Sequence, residues 1–166
     1  MKQILVVSSL LGLILLLGSC GGSSESTEFV PRPIPPAYQG MSMAELTSTS
    51  KTPSYKELKD NIDNYEGELV SFEGEVYQNF EGSVANTYQI YVFVTPIEGP
   101  ERYEWAEQIL LYHSLERGPE LLEGSKVRVS GIVIGKHEHK VRSDEAPKRV
   151  APIISVIKAE LITNSN

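Results

Sequence analysis

Four groups of residues in this 166-residue chain have side chains able to do chemistry. Cys20 is the only thiol, so it can neither close an internal disulfide nor join a multi-cysteine zinc site. His137 and His139 flank Glu138 in "KHEHK". On a strand, residues two apart share a face, so both imidazoles could reach one ion. A closed zinc site needs about four ligands, however, and no third or fourth stands nearby, so no metal is expected. The third group is basic: Lys136, Lys140 and Arg142, in the run "KHEHKVRSDEAPKR", could draw an anion. The fourth is aromatic: Tyr77, Tyr91 and Phe93 have flat faces of the kind that stack on bases or sugar rings.

Carboxylates are plentiful, but general acid–base catalysis needs two groups held at a defined spacing in a pocket. Here they alternate along strands and gather in turns, as solubilising charges do. There is no phosphate-cradling glycine loop and no nucleophile elbow. The chain therefore reads as a non-enzyme without a cofactor.

Charge is unevenly spread. The formal total is -7, which disfavours sequence-independent binding of nucleic acid. From Ser54 to Gly124 there are fifteen acidic and four basic residues; from Ser125 to Lys158 there are eight basic and three acidic. That basic half could meet a nucleic acid, a phosphorylated glycan or an anionic bilayer, or simply keep an exposed hairpin soluble.

The surroundings of Cys20 define its chemistry. Met1-Lys2-Gln3 is a short positive start, and Ile4 to Leu17 is an apolar run with the length of a signal-peptide core, short of the roughly 20 residues of a spanning helix. Leu17-Gly18-Ser19-Cys20 resembles the bacterial lipobox. The resemblance implies a signal peptide over 1–19, cleavage before Cys20, a diacylglyceryl group on its sulfur, and an acyl chain such as palmitate on the new amine. Two or three chains anchor stably where one holds weakly. The expected location is extracytoplasmic, on the cell membrane or outer membrane; Gly21, where an inner-membrane signal would place Asp, leans toward the latter.

Residues 20–53 are rich in Ser, Thr, Gly and Pro, with Pro31, Pro33, Pro35 and Pro36 close together. Such composition predicts a disordered linker, stiff at the prolines, with at most a helical turn at "MSMAEL". Order is expected over 54–163. Ser54 and Glu57 form a capping box, and Tyr55, Leu58 and Ile62 one apolar stripe, predicting a short helix. Beyond it the period becomes two. "LVSFEGEVYQNF", "TYQIYVFVT", "AEQILLYHS", "KVRVSGIVIG" and "VAPIISVIKAELI" predict five strands. Gly74 and Gly131 sit in mid-strand, where glycine marks a bend or bulge. Five bent strands in this length predict a small barrel, with a short helix or turn near Glu120-Leu121-Leu122 between the third and fourth.

"YKELKDNIDNYEGELVSFEGEV" looks like the opening of bacterial OB-fold domains described as nucleic-acid-binding-like, and "LLEGSKVRVSGIV" and "RVAPIISVIKAELI" like their last two strands. The resemblance covers 54–162 and departs at the long, charged connection from Gly135 to Arg149. It implies a ligand face across strands two and three, gripped by the 1–2 and 4–5 loops. If Ile90, Val92 and Val94 point inward, then Tyr91, Phe93 and Tyr77 make an outward platform. Both faces of that strand are apolar, so alternation leaves the opposite register open. Trp105 fits a pin for the strand 2–3 connection, and His113 a partly buried strand position. Two functions fit this reading. One is a membrane-anchored binding module for nucleic acid, oligosaccharide or protein; the other is an envelope lipoprotein whose barrel only contacts another protein.

Overall fold

The computed structural model describes residues 30–94, 107–139 and 149–163. Cys20 and the segment expected to be a signal peptide, Trp105, Lys140 and Arg142 lie outside the described residues. The alternating segments form β1 (Leu69–Glu81), β2 (Thr87–Phe93), β3 (Gln108–Ser114), β4 (Lys126–His139) and β5 (Arg149–Leu161). They close into a barrel in the order β1-β2-β3-β5-β4, with β3 and β5 parallel and every other neighbouring pair antiparallel. This is the mainly β, five-stranded barrel that the periodicity predicts, of the OB-fold-like kind that the resemblance implies.

β1 serves two neighbours. Its first half pairs with β4 and its second with β2, the hand-over falling at Glu75. Gly74 stands beside that point, where a Cβ would lie 2.4 Å from the Phe93 carbonyl oxygen. Gly131 meets the same constraint, 2.5 Å from the Ser155 carbonyl oxygen, beside a register shift in the β4–β5 ladder. Only a residue without a side chain lets the strands approach this closely. Val70 and Val76 of β1, Ile90 and Val92 of β2, and Ile109 and Leu111 of β3 fill the interior.

The barrel end at which β1 begins is stoppered by α2 (Tyr55–Asp60) and α3 (Ile62–Tyr65), whose Leu58 and Ile62 are buried in the core. Ser54 caps α2 by accepting from the Glu57 amide at 3.2 Å. The reciprocal half of the expected box is not made: the Glu57 carboxylate accepts instead from the Tyr65 hydroxyl at 2.7 Å. Tyr55 donates to the Val150 carbonyl at 3.0 Å, tying the stopper to β5. At the far end, the chain leaves β3 through a 3₁₀ turn at Leu115–Arg117 and crosses below the barrel with Leu121 fully buried. The helical turn thus precedes Glu120-Leu121-Leu122, which is irregular.

The expectation of a free linker up to residue 53 needs correction. From Val30 onward the chain is a strap laid across the outer wall of β5, β4 and β1. It holds a 3₁₀ turn (Pro36–Tyr38) and α1 (Met43–Thr49), the latter with a complete Ser42–Glu45 capping box. Leu46 packs with Leu69, Ile132 and Ile157, and Ile34, Tyr38 and Met41 join them. Beneath α1 runs a buried polar seam: Ser50 donates to Ser71 at 2.8 Å, and Ser71 and Ser130 share a bond of 2.5 Å. Lys51 then pairs with the first half of β1, where β2 has not yet begun, through Leu69 and Ser71. Arg117 clips the start of the strap, donating to the Arg32 carbonyl at 2.6 Å and to the Val156 carbonyl. Composition missed this because a few apolar side chains, placed to cover the outside of a sheet, suffice to offset the chain entropy.

Candidate binding face

The register of β2 decides the first question. Ile90 and Val92 are in the interior and Val94 packs against it, so Tyr91 and Phe93 stand on the outer wall. On β1 a register shift between Val76 and Gln78 sets two residues opposite Tyr91. That bulge turns both Tyr77 and Phe80 outward. Tyr77 stacks on Phe93 with centroids 4.6 Å apart, and Phe80 meets Tyr91 edge-on at 6.3 Å. β3 adds Leu110 opposite Tyr91 and Tyr112 opposite Gln89 on the same face.

This strip is graded in exposure. Phe93 is only 6% exposed, Leu110 and Tyr112 are buried, Tyr77 and Tyr91 are half-buried, and Phe80 at the edge is 44% exposed. Burial pushes the Tyr112 hydroxyl up to about 12, with the nearby Tyr91 adding to the effect, and raises Tyr91 as well. Both phenols are therefore neutral donors at ordinary pH. Tyr91, Phe93 and Tyr77 thus share the outer face, Phe93 as the base of a stack rather than as an open surface. Phe80 was missed by alternation, which places it on the Val76 side; no local signal marks the bulge at Tyr77.

Only the first part of the expected basic loop is among the described residues. Residues 135–139, expected in a loop, belong to β4 and pair with β5 as far as His139 opposite Arg149. A second shift between Val133 and Gly135 reverses the facing of the residues beyond it. Lys136, exposed, lies opposite Pro152, on the side of the ribbon that carries Ile154 into the interior. His137 lies opposite Ala151 and so shares the outer face with Ile153, Leu110 and Tyr91. The structure therefore brings Tyr77, Tyr91 and Phe93 together and sets Lys136 on the other face of its strand. Of the other described basic side chains, Arg128 bonds Glu73 at 2.6–2.8 Å, and Arg117 is spent on the strap. Among the described residues no three His, Cys, Asp or Glu side chains gather as metal ligands.

His113 is more enclosed than a partly buried strand residue. It is fully buried at the end of β3, with Nε2 donating to the Pro119 carbonyl at 3.0 Å and Nδ1 without a partner. Burial lowers its pKa, outweighing the Pro119 bond, and Arg117 lowers it further. The ring is neutral and fastens the crossing segment to the barrel.

No protein-family model matches the chain, and no curated protein matches it. Among solved structures, aspartyl tRNA synthetase from Entamoeba histolytica is similar over 82% of this chain at 14% identity, with a TM-score of 0.39. This chain spans 26% of that protein's length. Among the described residues no helix is long and apolar enough to cross a membrane.

Proposed function

We propose that the chain is a lipid-anchored extracytoplasmic binding module, held by acylated Cys20 on the cell membrane or outer membrane. In this reading the barrel offers the outer face of β1, β2 and β3 to a ligand. The observation that carries it is the aromatic strip of Tyr77, Phe80, Tyr91 and Phe93 on an OB-ordered wall. Stacked rings with one open edge suit a base, a sugar ring or an apolar side chain. The ligand is a nucleic acid, an oligosaccharide or a protein segment. For a nucleic acid, binding would also draw on Lys140 and Arg142 of the basic run, but not on Lys136, which faces away from the strip, and would weaken steeply with salt.

The test is a binding panel of single-stranded oligonucleotides and oligosaccharides against wild type, Phe80→Ala and Tyr91→Ala. Each substitution should weaken stacking by about 1–3 kcal/mol; unchanged affinity in both removes this face from consideration. The anchor is tested apart, by palmitate labelling of wild type and Cys20→Ser, the variant losing all label.

One observation favours a second reading, an envelope lipoprotein that only contacts another protein: Phe93, Leu110 and Tyr112 are buried, so little open aromatic surface is left to stack on a base or sugar. A stable crosslinked partner, with no affinity for oligonucleotides or glycans, would select it.

A further inference from the structure

Strand polarity sorts the barrel into two unlike ends. The end where β1 begins carries the α2–α3 stopper. The far end gathers the β1–β2 turn, the end of β3, the crossing segment, the start of β4 and the end of β5. Hydrogen bonds hold these pieces side by side. The Leu115 amide donates to the Asn86 carbonyl at 3.1 Å, and Asn79 Nδ2 to the Leu121 carbonyl at 3.0 Å. The Val76 amide donates to the Ser125 carbonyl at 2.9 Å, and the Ile162 amide to the Lys126 carbonyl at 2.8 Å.

The large exposed apolar side chains of the described residues concentrate here. Phe80, Val84, Leu115, Leu122 and Leu161 are 37–58% exposed; the remaining one, Val30, begins the strap. Scattered apolar residues need no explanation, whereas five around one rim do. Between them stand Glu81, Glu116, Glu120 and Glu123, all exposed; none closes a salt bridge among the described residues, although Glu116 is near enough to Arg117 to act on its charge. Against these four carboxylates the same end offers Lys126, exposed, and Arg117, whose guanidinium is committed to the strap.

We infer that this end of the barrel is a docking surface for a cationic, amphipathic segment of a partner protein. The apolar rim supplies the buried centre of such a contact and the carboxylates its charged margin. The sign of the charge selects among occupants. An anionic bilayer would be repelled by the carboxylates, and a second copy of this chain would bring like charge against like charge. A lysine- or arginine-bearing segment with leucine-like side chains complements both features. The surface is distinct from the Tyr91 face; Phe80 lies where the two meet.

The test uses the full chain as produced, loaded into zwitterionic nanodiscs where it carries the proposed lipid and free in solution where it does not. The probe is a fluorescent amphipathic Leu/Lys peptide, with buffer or empty discs as background and a Leu/Glu peptide as mirror. Anisotropy should show the Leu/Lys peptide alone binding above background. Leu115→Ser with Leu122→Ser should weaken it about tenfold or more, and Glu120→Gln with Glu123→Gln should weaken it and flatten its salt dependence. Circular dichroism confirms that these exposed substitutions leave the fold intact. No binding above background, equal binding to the Leu/Ser variant, or preference for the Leu/Glu peptide overturns the inference. So does a dimer, or adhesion to phosphatidylglycerol vesicles, that the Leu/Ser variant loses, because another occupant would then own the rim. Loss of peptide binding in Tyr91→Ala but not in the Leu/Ser variant would assign the peptide to the aromatic face instead.

Discussion

Two stretches of the barrel's outer wall are apolar, and they are covered in different ways. On β4, β5 and the first half of β1, Leu69, Ile132 and Ile157 are roofed by the chain's own residues 30–51, fastened by the serine seam and the Arg117 clip. On β2, β3 and the second half of β1, the wall builds a layer of aromatic rings with an open edge at Phe80. Apolar character outside a barrel therefore has two meanings. Where the same polypeptide returns to cover it, it is structure; where an edge is left accessible, it is the surface proposed for a ligand.

The largest effects should come from the anchors of the two coverings. Phe93→Ala should cost about 3–5 kcal/mol and Leu46→Ala about 2–5 kcal/mol, measured by equilibrium denaturation. A negligible cost for Leu46→Ala would mean that the roof is incidental and the two walls are alike. Next comes Arg117→Met, which strands the Arg32 and Val156 carbonyls and should cost about 1–3 kcal/mol. Amide exchange should quicken over residues 32–41 while the Tyr91 ring environment is unchanged; parallel loss on both walls would erase the distinction.

His113 gives a smaller, pH-dependent effect. Its folded-state pKa is lowered, so unfolding takes up a proton. Stability should be complete above the ordinary histidine value of about 6.5 and fall as pH drops toward the lowered folded value. The slope can reach about 1.4 kcal/mol per pH unit and should vanish in His113→Gln. Smallest of all is Arg128→Gln. It breaks an exposed pair with Glu73, and a change above about 1 kcal/mol would show that the roofed wall leans on charge more than expected.

The barrel was legible because its interior residues alternate between the bulges: Val70, Phe72, Gly74 and Val76 face one way as the spacing requires. β2 was illegible for a physical reason. Val92 is buried inside and Phe93 outside, so no period-two contrast exists to read. The site failed at its bulges. One extra residue at Tyr77 brings Phe80 onto the outer face, and another near Ile134 moves Lys136 off it. A bulge depends on a partner strand, which no local pattern records. The strap escaped notice because its prolines and serines outweigh the spaced Ile34, Tyr38, Met41 and Leu46 that hold it down.

The strap also alters the mechanics of attachment. If Cys20 is acylated, only ten residue steps separate the lipid from Val30, and even fully stretched they span about 35 Å. A body on so short a leash patrols a shell little deeper than its own width, so whatever it recognises must itself come to the surface of that membrane.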